Sequence, residues 1–227
     1  LEAFDSHPLI QEIVLVTGTD DSLARRLAGG CRKPVRLVRG GASRAESAAA
    51  GVRAAAGELV AVHDAARPFV SAQVITAALE AADALGAAAP AVPVKDTVKM
   101  AGKTAGPTPD PGAFGPSQGF AGQPAPAPAQ NAPLLVRATP PREALFAVQT
   151  PQCFGRESYL ELLQKAEAEG GLPALTDDCQ LFEQAGRPVA LTPGDYANYK
   201  ITTAEDLKGE SSMRIGHGYD VHRLAEG

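Results

Sequence analysis

Glu58-Leu59-Val60-Ala61-Val62-His63-Asp64-Ala65-Ala66-Arg67-Pro68-Phe69-Val70 is the stretch on which the reading of this chain turns. Residues 59–62 form a continuous apolar run rather than an alternating one, the pattern of a parallel strand buried on both faces. The run ends abruptly in His-Asp, passes two alanines and turns at Arg-Pro. That polar end would lie at the carboxyl edge of an open α/β sheet, where such folds bind their ligands. Asp64 then stands where a group handling a metal or a phosphate belongs, and Ala65 and Ala66 let a ligand approach the backbone. The same residues fit a plain strand end with a solvated aspartate. Spacing alone leaves both readings open.

The flanking pattern extends the α/β reading. Leu1–Phe4 reads as the end of a helix stopped by Ser6-His7-Pro8. Ile13–Val16 and Val35–Val38 are predicted strands around a short helix over Ser22–Leu27. Ser43-Arg44-Ala45-Glu46 has the spacing of a capping box and opens an alanine-rich helix to about Ala56. A helix over Ala72–Leu85 and a strand over Ala88–Val94 follow the central run. Strands alternating with helices at this spacing predict a mostly parallel sheet covered on both faces.

From Ala101 to Pro133 the composition changes, with eight prolines and six glycines in 33 residues. That exceeds the roughly 25–30% of Pro and Gly at which disorder is the default, so the segment is read as a flexible insertion. The α/β pattern resumes after it. Leu134–Val136 is a predicted strand, and Leu145–Val148 leads into Gln149-Thr150-Pro151-Gln152, a polar turn. Helices are predicted over Glu157–Glu169 and from Thr176-Asp177-Asp178 to Gly186. A strand over Val189–Leu191 and a short helix capped by Thr203 through Leu207 complete the pattern. At Met213 the texture restarts as though a second protein begins.

The bulk numbers set limits. A length of 227 residues suits one sizeable domain, or one domain and a fragment. The net charge of −5 argues against a nucleic-acid partner, so an anionic substrate must be met by local Arg and Lys groups. Three widely spaced cysteines without a CxxC pair point to a reducing, cytoplasmic setting. No apolar run reaches the roughly 18 residues of a membrane span, so no membrane association is expected. No GxxxxGK[ST] loop is present, which excludes a P-loop NTPase.

Three polar clusters follow predicted strands. Gly40-Gly41-Ala42-Ser43-Arg44 with Ser47 offers backbone N–H groups ahead of a helix, suited to a phosphate or a base edge. His63-Asp64 with Arg67 is the second. Asp96-Thr97, Arg142, Thr150 and Lys200 are the third, and from the residues alone Arg142 and Lys200 read more readily as solvated surface charges.

Taken together, Gly-Gly-Ala-Ser-Arg-Ala-Glu-Ser (40–47), Val-His-Asp-Ala-Ala-Arg-Pro-Phe (62–69), Pro-Val-Lys-Asp-Thr-Val-Lys (93–99), Gln-Thr-Pro-Gln (149–152), Thr-Asp-Asp (176–178) and Asn-Tyr-Lys-Ile-Thr (198–202) resemble 2-C-methyl-D-erythritol 4-phosphate cytidylyltransferases. The match is collinear to about Leu207. Met213-Arg214-Ile215-Gly216-His217-Gly218-Tyr219-Asp220-Val221-His222 resembles the opening strand of 2-C-methyl-D-erythritol 2,4-cyclodiphosphate synthases, a phosphorus–oxygen lyase family. The division implied is a cytidylyltransferase domain over 1–208, a linker over 209–212 and an N-terminal piece of a synthase over 213–227.

The resemblance implies a Rossmann-like three-layer nucleotidyltransferase fold, with an arm that makes a homodimer. It implies CTP and methylerythritol phosphate as substrates, Mg²⁺ as cofactor, and a cytidylylated alcohol and pyrophosphate as products of isoprenoid synthesis. Carried over by position, Arg142 and Lys200 hold the methylerythritol phosphate, Thr97 and Thr150 hydrogen-bond it, and Asp64 sits by Mg²⁺ and the reacting phosphates. Gly41, Ala42 and Ser47 line the cytosine pocket, and Ala65 lies near the ribose. Many relatives have an acidic residue where this chain has Ala42, a change harmless only to a backbone contact. In the second segment Asp220 and His222 match two ligands of Zn²⁺ or another divalent metal, and an Asp-x-His pair on a strand shares one face.

The family's glycine-rich triphosphate loop precedes Leu1 in register, so residues 1–227 by themselves are expected to be inactive or nearly so. A pentitol (ribitol) 5-phosphate cytidylyltransferase shares the His-Asp-Ala-Ala-Arg-Pro region and is the near alternative. A non-catalytic binding or assembly module is the distant one.

Overall fold

The computed structural model describes residues 1–102, 134–169, 175–203 and Asp206. They fall into two compact units, one of Leu1–Val92 with the chain from Val148 onward, the other of Pro93–Ala147.

The larger unit begins with α1 (Glu2–Ser6), β1 (Ile13–Thr17), α2 (Ser22–Ala28) and β2 (Val35–Arg39). β1 and β2 pair in parallel, with Ile13 opposite Val35 and Thr17 opposite Arg39. The capped helix forms as α3 (Arg44–Ala54), with the Ser43 hydroxyl accepting from the Glu46 N–H at 3.1 Å. Glu46 reaches back one residue further than a capping box requires, its carboxylate accepting from the Ala42 N–H at 2.7 Å. The central run is β3 (Leu59–Val62). The helix α4 (Ala72–Leu85) has the bounds read from the sequence. It starts on a Ser71 cap and ends at Gly86, whose φ of 91° is one that side-chain-bearing residues rarely adopt.

β4 (Ala87–Pro93) is nearly all alanine and proline, buried from Ala87 to Val92. Beyond the second unit come β8 (Gln152–Gly155), α5 (Arg156–Ala168), α6 (Cys179–Gln184) and β9 (Ala190–Pro193). β8 runs antiparallel to β3, Leu59 opposite Gly155 and Val62 opposite Gln152, and antiparallel to β4 as well. Only β9 pairs with β4 in parallel among these ladders. The main sheet is therefore mostly antiparallel in its pairings, which corrects the mostly parallel sheet expected. The cause is one late strand, β8, slotted against the grain between two strands that share a direction. Gln149–Gln152 reads as a turn, and Cys153-Phe154-Gly155 is too short for its period to announce a strand.

Alternation across this sheet builds two cores. Ala87, Ala89 and Phe154 face Tyr159, Leu162, Leu163 and Phe182, while Ala88 and Cys153 face Val74, Ile75, Ala78 and Leu79. Helices thus cover both faces, and the small strand residues let them approach closely. The cysteines are all free, and burial pushes the Cys153 thiol up to about 12. Among the described residues no helix is long and apolar enough to cross a membrane.

The smaller unit contains β5 (Met100–Gly102) and β6 (Leu135–Ala138), paired antiparallel with a register shift between Met100 and Ala101. A 3₁₀ turn over Arg142–Ala144 and β7 (Phe146–Val148) return the chain to the larger unit. Ala101 and Gly102 belong to β5, whereas 103–133 lie outside the described residues, as do the linker and the segment with Asp220 and His222. The predicted helix through Leu207 is described only at its start, where Thr203 and Asp206 exchange hydrogen bonds.

Candidate active site

The antiparallel β8 explains how the central stretch meets Gln-Thr-Pro-Gln. With Val62 opposite Gln152, two residues on from Val62 and two back from Gln152 set position 64 opposite position 150. The Asp64 N–H accordingly donates to the Thr150 hydroxyl oxygen at 3.1 Å. That hydroxyl also lies 2.9 Å from His63 Nδ1, and His63 Nε2 lies 3.0 Å from the Arg67 carbonyl. Burial pushes the His63 pKa down from 6.5 to about 4, so the ring is neutral at pH 7. A carbonyl only accepts, which places the ring proton on Nε2 and leaves Nδ1 to accept from Thr150. Both ring nitrogens are thereby used, and His63 is a brace rather than a base. Thr150 is only 4% exposed, with its proton turned inward to His63.

The loop after β9 closes on the same place. Asn198, fully buried, donates to the Thr150 carbonyl at 2.9 Å and accepts on its own carbonyl from Arg67 at 2.8 Å. The Ile201 N–H reaches the Ala66 carbonyl at 2.8 Å, and Gln149 donates to the Asp195 carbonyl at 2.7 Å. These bonds fix Lys200, whose Nζ stands 3.1 Å from Asp64 Oδ2, with Arg67 Nε at 3.8 Å from the same oxygen. The Lys200 side chain is 40% exposed and that of Arg67 only 13%. Burial pushes the Arg67 guanidinium below its ordinary value, against the pull of Asp64. The result is one carboxylate facing two cations at a sheet edge, with the lysine turned outward.

The glycine turn leads into α3 in the same unit. Gly41 donates to the Ser47 hydroxyl at 3.2 Å, which in turn donates to the Ser43 carbonyl at 2.9 Å. A Cβ on Gly41 would stand 2.3 Å from Glu46 Cβ, so only glycine allows this approach. Arg44 Nη2 lies 2.8 Å from Oδ2 of the fully buried Asp178, an ion pair outside hydrogen-bond geometry. Burial alone would lower the Arg44 pKa, but Asp178, with a smaller contribution from Asp64, holds it above its ordinary value.

Thr97 and Arg142 belong to the smaller unit. Arg142 donates to the Lys95 carbonyl at 3.1 Å, and Thr97 is exposed. Of the expected residues, then, Asp64, Thr150 and Lys200 come together, Ala65 is exposed beside them in sequence, and Gly41, Ala42 and Ser47 form the glycine turn. Asn198, Gln149 and Asp178 lie inside the matched segments, but the buried hydrogen bonds that distinguish them have no signature in spacing. Among the described residues no group of three or more His, Cys, Asp or Glu side chains is placed to hold a metal ion. A magnesium ion needs fewer, since one or two carboxylates and substrate phosphates suffice, and Asp64 fits that narrower demand.

The family model for 2-C-methyl-D-erythritol 4-phosphate cytidylyltransferase (IspD) matches residues 1–110 and 128–213. The chain belongs to the 2-C-methyl-D-erythritol 4-phosphate cytidylyltransferase family. Two bifunctional IspD/IspF enzymes are similar to it, one from Anaeromyxobacter sp. at 40% identity over 96% of the chain, one from Bradyrhizobium diazoefficiens at 37% over all of it. The chain spans about half the length of these relatives, 51% and 52%. Among solved structures, the 4-diphosphocytidyl-2C-methyl-D-erythritol synthase of Anaerococcus prevotii superposes with a TM-score of 0.72 at 28% identity, covering 92% of this chain and 80% of that one. The 2-C-methyl-D-erythritol 4-phosphate cytidylyltransferase of Thermus thermophilus gives 0.63 at 32% identity, covering 91% and 82%. The cytidylyltransferase match takes in every residue of the Asp64 cluster together with Thr97 and Arg142, and it passes over 111–127 within the proline-rich stretch.

Proposed function

We propose that the protein transfers CMP from CTP to 2-C-methyl-D-erythritol 4-phosphate in the non-mevalonate route to isoprenoids. A phosphate oxygen of the acceptor attacks the α-phosphorus of CTP, and the bond from that phosphorus to the β-phosphate oxygen breaks. Pyrophosphate leaves, and 4-diphosphocytidyl-2-C-methyl-D-erythritol is formed. The attacking phosphate is already ionised, so no general base is required. The observation that carries this reading is the Lys200–Asp64–Arg67 cluster in a chain of this family. Two anions must be brought together against their repulsion, and fixed cations do this without reorganising.

In this reading Lys200 and Arg142 hold the acceptor phosphate and Thr97 hydrogen-bonds the acceptor. Asp64 aims Lys200 and supplies a carboxylate to Mg²⁺, which when bound would offset the charge of the phosphates. Thr150 acts through the Asp64 amide, because its proton is directed at His63. Gly41, Ala42 and Ser47 receive the cytosine, and Ala65 borders the ribose. A base edge replaces the bonds that Ser47 and Glu46 now make to the Gly41 and Ala42 N–H groups.

A second copy of the chain is the proposed partner, through the smaller unit. Leu134, Leu135, Val136 and Phe146 are 52%, 45%, 61% and 45% exposed there, more apolar surface than so small a unit should leave to water. The names of the bifunctional relatives support a following cyclodiphosphate synthase domain, begun at Met213 with Asp220 and His222 as divalent-metal ligands. The deciding experiment offers the full-length protein CTP with methylerythritol phosphate or ribitol 5-phosphate and follows pyrophosphate release. Release with the first acceptor is expected. Preference for ribitol phosphate would move the assignment to the pentitol enzymes, and no release with either would leave a binding module.

A further inference from the structure

The buried carboxylate of Asp178 lies outside the Lys200–Asp64–Arg67 cluster and has no solvent face. Its side chain is fully buried, Oδ1 accepts from the Tyr159 hydroxyl at 2.6 Å, and its own N–H donates to Gln152 at 2.9 Å. Gln152 is 2% exposed and Tyr159 1%, so Asp178 is held through its backbone N–H by β8 and through its carboxylate by α5. Its remaining oxygen faces Arg44 at 2.8 Å. A buried ion pair adds little net stability over a well-packed apolar pair, because both charges give up their water. What such a pair can do is fix where one element sits on another.

Arg44 is the first residue of α3, and that first turn carries the glycine turn. Ser43 caps it, Glu46 holds the Ala42 N–H, and Ser47 holds the Gly41 N–H and the Ser43 carbonyl. Any shift of Arg44 moves Gly41 and Ala42 with it. We infer that Asp178 is a positioning residue for nucleotide affinity: through Arg44 it sets where the Gly41–Ala42 turn stands, and it touches no substrate itself. This inference rests on the proposed function, in which that turn receives the cytosine.

The test uses the full-length protein with Asp178→Asn and Arg44→Met, singly and combined. Asparagine keeps an acceptor for Tyr159 and removes the charge that Arg44 answers. Both single variants raise KM for CTP about tenfold, equivalent to about 1.4 kcal/mol. KM for methylerythritol phosphate and kcat stay within about twofold, and the double variant is no worse than either single one, because all three lose one coupling. CTP constants near the parent's, equal rises for both substrates, or additive losses in the double variant each overturn the inference. If Asp178→Asn fails to fold, Arg44→Met, altered at a partly exposed side chain, decides by the same split. Where the parent binds CTP by calorimetry but cytidylylates neither acceptor, the functional reading falls and the CTP affinities of the variants still decide this one. A parent that does not bind CTP overturns both.

Discussion

Asp64 keeps one carboxylate oxygen between Lys200 at 3.1 Å and Arg67 at 3.8 Å, and this arrangement can be challenged one atom at a time. In the full-length protein, Asp64→Asn retains the shape and the backbone bond to Thr150 while removing the charge. Turnover should fall by about 10²–10³, the usual loss when one fixed group stops stabilising charge in a transition state. Circular dichroism should stay that of the parent. Near-parent turnover would return Asp64 to a solvated strand end. His63 gives a second residue-level prediction. Its folded pKa of about 4 lies below the ordinary 6.5, so between those values the unfolded chain takes up a proton that the folded chain refuses. The stability it supports is complete above about pH 6.5 and is lost as pH falls toward 4. His63→Asn, whose amide oxygen can replace Nδ1 as acceptor, should narrow its stability difference from the parent as pH falls through that window. A pH-independent difference in urea unfolding would contradict the account. At this scale the sequence places Asp64 and Lys200 as chemically interesting groups, but the direction of the Thr150 proton depends on burial and on the Arg67 carbonyl, and neither is written in the spacing.

Among the elements, α3 and α4 were legible because each carries a local signature, a Ser-x-x-Glu start and an apolar face closed by glycine. The continuous apolar run of β3 gave the strand but not its setting: it pairs antiparallel with β8, and only Val60 of its four residues is buried. β8 itself was not legible, since a four-residue strand beginning with glutamine borrows its identity from β3 and β4 on either side. Yet β8 is what carries Thr150 to Asp64 and sends Phe154 and Cys153 to opposite cores. Phe154 has no exposed surface and stacks on Phe182 at a centroid distance of 4.8 Å. Phe154→Ala should therefore cost about 3–5 kcal/mol of stability by lost burial and cavity formation. Because the same strand fixes the Asp64–Thr150 register, the variant should lose turnover at temperatures below its unfolding midpoint. Equal losses from Leu162→Ala, which lies on α5 and not on β8, would show that general core loosening accounts for the effect.

For the molecule as a whole, the proline-rich stretch is where the chain departs most from its family, and the matched regions close around it at 110 and 128. On either side of that gap stand β5 and β6, which pair with each other from Met100–Gly102 to Leu135–Ala138. The pairing sets Gly102 opposite Leu135, so the two ends of the intervening segment meet whatever lies between them. Closure depends weakly on the length of a connection, each doubling of a flexible one adding about 0.6 kcal/mol. The apolar side chains proposed to meet a second copy, Leu134 to Val136 and Phe146, lie outside residues 111–127. Removing 111–127 from the full-length protein should therefore leave the proposed dimer and the proposed turnover as they are, with sedimentation velocity and pyrophosphate release as the two readings. A deletion product that sediments as a monomer would show that the insertion itself builds the interface, and would place the partner contact in the stretch where this chain is least like its relatives.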